Sequence, residues 1–349
     1  MSTTITKPAT ILKERDREVL SSLFAIDTRA LTAIRIGLAS IILFHSFTTP
    51  LPSDSGSGFD VGVNYAMVVI VPFAIMLLVG YRTRFATIVC WILYSIPLRA
   101  GYLGGGDLPL QSYMVALFLF WGAFLPFGAH LSLDSRRGAP AARPGRILSV
   151  ASAGFLLQMF IIYFSAGATK YWVEWISEAS ALQTILESDR FASELGTAML
   201  AFPAVLAVGS VLTVALETLG SLLLFVPGKT LQVRRVLIAF SFIAFHVGLA
   251  VFMTLERFPY VMIVLWLVFL PTSFWDRVTG RPMKAQQYPD TSRARNLTAA
   301  LALFYIVVSC AFTWLYYPAK DGFPGAWQLF GKYLLIYQQW AMFSVPSSI

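Results

Sequence analysis

The segment that decides the architecture is IIYFSAGATKYWVEWISEASAL, from Ile161 to Leu182. It starts as the end of an apolar helix, passes through the small residues Ser165 to Ala168, and reaches Lys170 before a run of tryptophans and acids. Small residues let neighbouring membrane helices approach closely. A lysine at such a junction is either an anchor whose amine reaches the membrane surface or a functional amine.

The composition indicates a membrane protein with many spans. Of the 349 residues, 57% are hydrophobic and only 13% are charged, whereas an average soluble domain has about 25% charged residues. Because no polar block is long enough for a separate soluble domain, we expect a cytoplasmic arm over residues 1–28 and a single membrane domain over 29–349. The predicted fold class is all-α, a bundle of about nine membrane helices.

Apolar segments of suitable length define the predicted spans. The nine segments are 30–48, 61–80, 85–99, 112–129, 147–169, 203–227, 236–254, 259–273 and 297–317. An outer loop over residues 170–202 follows the fifth span and carries amphipathic helical sequence. This loop either roofs a cavity or is a solvated charged loop, which is the more common case. The aromatic tail, 325–349, lies on the surface, re-enters the membrane or forms a tenth span.

Basic residues predict the orientation. Most of the 26 Lys and Arg residues fall in alternate segments on the same side as the N-terminus. Since cytoplasmic loops are enriched in Lys and Arg, we expect a multi-pass protein of the cell membrane with its N-terminus in the cytoplasm and Lys170 at the outer face. This distribution accounts for the net charge of +8 without nucleic acid, so no nucleic-acid partner is expected.

Four ionisable residues fall inside predicted spans, where each needs a partner or a function. They are Arg35, His45, Glu217 and His246. A pair between Glu217 and Arg35 would neutralise both charges; alternatively, each group is satisfied separately by carbonyls, hydroxyls or water. His246 lies deeper in its span than His45. The histidines are scattered without ligand spacing, so no metal site is expected.

At these residues the chain resembles the HTTM family, the horizontally transferred transmembrane domain, whose best-characterised members are the vitamin K-dependent gamma-carboxylases. The resemblance runs from about Asp27 to Trp340. Its markers occur in the order of the family: DTRALTAIRIGL at 27–38, GGGDL at 104–108, PFGAHLSLD at 126–134, YFSAGATKYWVEW at 163–175, Glu217, His246, and QQWAMF at 338–343. The YFSAGATKYWVEW block is the most specific of them.

The resemblance implies a membrane-embedded enzyme of carbon–carbon lyase type that uses Lys170 as a base on a quinol-like cofactor at the outer leaflet. Burial disfavours the charged form of a lysine, which suits this role. The cofactor expected is a reduced quinone resembling vitamin K hydroquinone, without a metal. The implied catalytic residues are Lys170, His246 and Glu174, and the implied cofactor contacts are Gln111, Tyr113, Trp172, Trp175 and Glu217.

Two departures from the carboxylases argue against glutamate carboxylation itself. The carboxylases carry a large lumenal domain after the membrane region, for which this sequence has no counterpart. They also place a histidine near the quinone where this chain has Gln111, and an amide cannot carry a proton. The partners expected are the lipid bilayer and a lipophilic small molecule.

The alternative hypothesis is a non-enzymatic membrane factor for the maturation, export or immunity of a secreted peptide, as in the related sporulation-delaying peptide maturation proteins. In that case the acidic outer loop would be the docking surface for the peptide. A proton-coupled transporter ranks last, because no paired Gly/Pro-broken helices or inverted repeat are visible in the sequence.

Overall fold

The structure is a computed structural model that describes residues 8–48, 65–103, 110–138, 145–283, 287–289 and 293–316. Within these ranges the chain is mostly helical, with 15 α-helices. They are α1 (Pro8–Phe24), α2 (Thr28–Thr48), α3 (Val71–Val79), α4 (Thr83–Leu103), α5 (Leu110–Gly122), α6 (Leu133–Arg136), α7 (Val150–Ala168), α8 (Ala181–Leu186), α9 (Glu194–Ala198), α10 (Pro203–Ala215), α11 (Ser221–Leu223), α12 (Leu231–Phe252), α13 (Phe258–Trp266), α14 (Thr272–Thr279) and α15 (Arg293–Tyr316). Two π-helical turns, Val173–Ser177 and Leu216–Gly220, and two 3₁₀ turns, Met199–Ala201 and Leu267–Phe269, interrupt this pattern.

Five described helical segments are long and apolar enough to cross a membrane. These are Thr28–Thr48, Val150–Ala168, Pro203–Leu223, Leu231–Phe252 and Arg293–Ala311. A sixth is added if α13 with its 3₁₀ turn forms one broken span with α14, to which it is bent by 104°. The remaining apolar helices, around α3, α4 and α5, are shorter. The mostly helical fold with apolar helices long enough to span a membrane is thus confirmed, while the nine spans and the cytoplasmic N-terminus stay predictions. The aromatic tail 325–349 lies outside the described residues.

The centre of the bundle is α5, in which every residue from Gln111 to Gly122 is buried. A helix that is apolar on all sides is surrounded by other helices, and α5 packs against α4, α7 and α13. Gly154 of α7 faces Trp121 of α5 so closely that a Cβ atom at position 154 would lie 2.3 Å from the indole ring. The glycine therefore sets the distance between these two helices.

A small three-stranded sheet contains the residues just before α2 and just before α7. Strand β1 (Ile26–Asp27) pairs antiparallel with β2 (Arg146–Leu148), which pairs in parallel with β3 (Gln287–Pro289). The all-α prediction missed this sheet because strands of two or three residues are too short to show an alternating pattern. The register places Asp27 opposite Arg146.

In the structure, apolar residues of the outer loop pack into a roof while several of its charged residues are exposed, so the loop has features of both alternatives. Ala181, Ile185 and Leu186 of α8 are buried in a separate apolar cluster with Trp175, Leu206 and Met253. Backbone hydrogen bonds tie the loop to the end of α12: the Ser193 amide donates to the Phe252 carbonyl at 3.1 Å. Glu187, Asp189 and Arg190 of the loop are exposed.

Two glycine-to-alanine changes test the packing of the bundle. In a helix, Gly→Ala usually stabilises by up to about 1 kcal/mol. At Gly154 the added methyl meets the Trp121 ring, so we expect Gly154→Ala to lower the free energy of unfolding by about 1–3 kcal/mol. At Gly248 of α12 a Cβ meets nothing within 4 Å, so Gly248→Ala is the matched control and should be neutral or stabilising. Thermal melting in detergent measures both; equal shifts in the same direction would contradict this packing.

Candidate functional site

A buried ion pair joins the end of α7 to the π-helical turn that follows α10. Lys170 Nζ lies 2.6 Å from Glu217 Oε2 and also donates to the Ala166 carbonyl at 3.2 Å. The two charged side chains are only 3% and 6% exposed. Nζ also lies 4.7 Å from the centroid of the Trp175 ring, a cation–π distance. Because an unpaired buried charge is strongly destabilising, each of the two groups requires the other.

The backbone on both sides is shaped to bring the pair together. Gly167 lies against the π-helical turn, and a Cβ at this position would be 2.9 Å from the Glu217 Cβ and 2.7 Å from the Thr218 methyl. The small residue therefore allows the close approach that the sequence predicts. The π-helical turn Leu216–Gly220 widens the helix locally, a distortion often found at functional sites. The negative end of the α7 helix dipole also favours the positive charge of Lys170.

His246 belongs to a complete hydrogen-bond network beside the ion pair. Its Nδ1 lies 2.8 Å from the Phe242 carbonyl and its Nε2 lies 3.1 Å from the Tyr163 hydroxyl. Trp266 Nε1 donates to the same hydroxyl oxygen at 2.8 Å. Since a carbonyl only accepts, Nδ1 carries the hydrogen and the Tyr163 hydroxyl donates to Nε2. This arrangement satisfies both nitrogens of a neutral imidazole.

The ion pair and the His246 network line one cavity under the roof. The cavity has a volume of about 40 Å³ and its wall includes Tyr163, Lys170, Trp175, Glu217 and His246, which leaves room for about one water molecule. A larger apolar cavity of about 270 Å³ adjoins it. The two cavities share the wall residues Leu182, Thr213, Phe245, Leu249 and Met253. Both linings are mainly apolar, so the ion pair and the His246 network are the polar part of two adjoining apolar cavities.

Half of the eight predicted site residues meet at this cavity. Lys170, Glu217, His246 and Trp175 line it, and Trp175 is 2% exposed. These four come from four different segments, α7 with its end, the π-helical turn after α10, α12, and the π-helical turn Val173–Ser177. The wall therefore assembles from positions that only the fold brings together.

The other four predicted residues lie outside the lining of this cavity. Trp172 is 69% exposed on the surface. Glu174 has one carboxylate oxygen buried without a hydrogen bond in the described part of the chain. Gln111 Nε2 donates to the Glu256 carboxylate at 2.5 Å, and Tyr113 is buried on α5.

The predicted pair between Glu217 and Arg35 is wrong. Glu217 pairs with Lys170, and the fully buried Arg35 donates to the Leu131 carbonyl at 2.7 Å. This backbone carbonyl satisfies only part of the guanidinium, because Arg35 Nε and Nη1 are buried without a hydrogen bond in the described part of the chain. His45 is also held apart from the cavity, with its Nδ1 2.7 Å from the Tyr94 hydroxyl.

Sequence reasoning missed Tyr163, which contacts both His246 and Trp266. A usable signal was present, because Tyr163 precedes Lys170 by seven residues and this spacing places both on one face of a helix. In the described part of the chain, no three His, Cys, Asp or Glu side chains are grouped so that they could hold a metal ion.

Comparison with protein families gives one match. The family model described as HTTM domain matches residues 59–275, which is more than half of the chain and includes all eight predicted site residues. The markers at 27–38 and 338–343 lie outside the matched region. Comparisons with the curated proteins and with the solved structures found no match.

A double-mutant cycle tests the ion pair. Lys170→Met and Glu217→Leu should each lower the free energy of unfolding by about 3–5 kcal/mol, because each leaves one buried charge unpaired. The double variant should lose clearly less than the sum of the two. Denaturation in mixed micelles measures all three, with Lys229→Met at an exposed lysine as the control, expected to change stability by less than about 0.5 kcal/mol. Additive losses would contradict the pairing.

Proposed function

The chain belongs to the HTTM family, and from this premise we propose that it is a membrane-embedded enzyme that removes a proton from a hydroxyl group of a lipophilic, quinol-like molecule. The observation that carries the proposal is the buried Lys170–Glu217 pair in the wall of a cavity that adjoins an apolar cavity. Charged groups inside a membrane bundle are costly and commonly functional. An ion pair with only a structural role would need no cavity beside it.

The pair would accept the proton as a unit. An ammonium and a carboxylate together hold the same protons as an amine and a carboxylic acid, so either form of the pair can take up one more. The hydroxyl oxygen then loses its proton, the pair becomes Lys170 ammonium with Glu217 carboxylic acid, and the positive charge stands beside the oxygen left negative. Charge placed in advance at such a position stabilises the transition state. The proposal thus extends the prediction of Lys170 as the base by giving Glu217 a share in the proton.

The surroundings of the pair favour a flat, apolar ligand. Trp175, Phe245 and Phe258 contribute aromatic wall to the small chamber, and the apolar chamber next to it suits a hydrocarbon tail. The two volumes together reach about the lower end of the ~300–1,000 Å³ range of small-molecule sites. A reduced quinone would supply the acidic hydroxyl group. The proposal assigns ligand contact to the residues of the lining and not to Gln111, Tyr113, Trp172 or Glu174.

Within this proposal, His246 and Tyr163 are positioning residues. Their hydrogen bonds to each other, to Phe242 and to Trp266 are complete, so these side chains have no free donor or acceptor that is required elsewhere. They hold a fixed polar wall next to the ion pair. Such fixed groups cost little reorganisation when a ligand charge develops.

Replacement of Lys170 tests the enzymatic proposal. In proteoliposomes supplied with a reduced naphthoquinone, the wild-type chain should accelerate the loss of quinol in air, because a deprotonated quinol reacts with oxygen faster than a neutral one. Lys170→Met should lower this rate by about 10²–10⁴-fold, the usual contribution of acid–base catalysis. Lys229→Met, with the same change at an exposed turn, should keep the wild-type rate.

Mass spectrometry of the lipophilic molecules that co-purify with the wild-type chain in mild detergent provides the binding measurement, and a quinone is expected. Equal rates for Lys170→Met and Lys229→Met, with no quinone bound, would contradict the proposal. That result would favour the non-enzymatic factor for a secreted peptide.

A further inference from the structure

A third cavity, of about 250 Å³, lies at the other end of the bundle. Arg146 in its wall comes just before α7 and Lys170 just after it. The 19 residues of α7 correspond to about 28 Å at 1.5 Å per residue. The third cavity is therefore separate from the cavity that the ion pair lines. Its polar wall residues are Asp27, Arg146, Gln232, Arg235, Thr272 and Ser273.

Arg235 in this wall carries a buried charge with no counter-ion among the described residues. The residue is 5% exposed, and its guanidinium donates to the carbonyls of Ser22 at 3.1 Å, Leu23 at 2.5 Å and Leu224 at 3.4 Å. Within the described ranges it forms no ion pair. Neutral carbonyls satisfy its hydrogen bonds but leave its positive charge uncompensated, which is unfavourable in a buried position.

Arg146 adds a second positive charge to the same wall. It lies close enough to Arg235 for their charges to repel. Burial lowers the pKa of the Arg146 guanidinium, and the neighbouring Asp27 carboxylate only partly offsets this. One hydrogen bond from Arg146, to the Ser21 carbonyl at 2.9 Å, is present in the described structure. Since a guanidinium has five N–H donors, most of those of Arg146 form no hydrogen bond with the residues that the structure describes.

Asp27 does not balance these two arginines, because its carboxylate is already held by Arg29. Arg29 Nη2 lies 2.9 Å from Asp27 Oδ2 and Arg29 Nε donates to Oδ1 at 3.1 Å. Arg29 also bridges to Asp276 at 2.8 Å. Asp27, Arg29 and Asp276 thus form a group with one surplus negative charge, opposite the two positive charges of Arg146 and Arg235. The cavity keeps an excess of positive charge.

We propose that this cavity binds a phosphate group, carried by the headgroup of an anionic phospholipid. Two guanidinium groups on one wall match the oxygens of a phosphate, to which arginine donates in pairs. Basic pockets between membrane helices are a recurring place for such headgroups. The lining also includes the apolar residues Val268, Phe269 and Leu270, and these suit the first carbons of the lipid. An amphiphile therefore fits the mixed lining better than a free ion.

Native mass spectrometry of the full chain in detergent tests the proposal, with phosphatidylglycerol, phosphatidylcholine and inorganic phosphate as the three probes. Wild type should retain one phosphatidylglycerol in preference to phosphatidylcholine. Arg146→Gln should weaken this binding about tenfold or more, since it removes charged hydrogen bonds. Arg277→Gln makes the same change at an exposed residue of α14 that lies outside the lining of the cavity. This variant should bind phosphatidylglycerol as tightly as the wild type does.

Arg235→Gln is the second variant, and its loss should equal or exceed that of Arg146→Gln. Because Arg235 also ties α1 to α12 through Ser22 and Leu23, the melting temperature of each variant without lipid is measured alongside. Displacement of the lipid by excess inorganic phosphate would support the phosphate as the recognised group. If inorganic phosphate raises the melting temperature of the protein and phosphatidylglycerol does not bind, the ligand is a soluble phosphate and not a lipid headgroup. Equal binding of both lipids, or equal binding by Arg146→Gln and Arg277→Gln, would overturn the proposal.

Discussion

The contact on which the rest of this structure depends is the one between Lys170 Nζ and Glu217 Oε2, 2.6 Å apart in a bundle of apolar helices. Neither charge is tolerable alone at such burial. The end of α7 and the π-helical turn after α10 must therefore meet, and Gly167 removes the side chain that would hold them apart. The roof over residues 170–202 follows from this contact, because it begins at Lys170 and carries Trp175 to the ammonium group.

The sequence predicts those parts of the structure that depend on composition and on local pattern. The low share of charged residues indicates helices in a membrane, and the YFSAGATKYWVEW block indicates the HTTM family, which the family comparison confirms. The small residues before Lys170 predict a close helix contact, and Gly167 makes one. Tyr163, seven residues earlier on the same face, could have been found by the same reasoning.

The pairing of distant residues could not be predicted, because hydropathy gives the depth of a residue in a span and not the direction it faces. Arg35 and Glu217 both lie inside spans, yet Arg35 turns to the Leu131 carbonyl. Gln111 instead binds Glu256, a surface residue with no distinguishing pattern in the sequence. The short sheet through Arg146 also depends on partners far away in the chain.

The central claim is that Lys170 and Glu217 form an ion pair in the wall of a cavity. A cryo-EM map of the full chain in lipid nanodiscs, at a resolution that shows side chains, tests this most directly. The account predicts continuous density between the Lys170 amine and the Glu217 carboxylate, with Trp175 stacked over the amine and a chamber on the side of His246. An amine that points into bulk water, with Glu217 bonded elsewhere and no chamber beside it, would contradict the account.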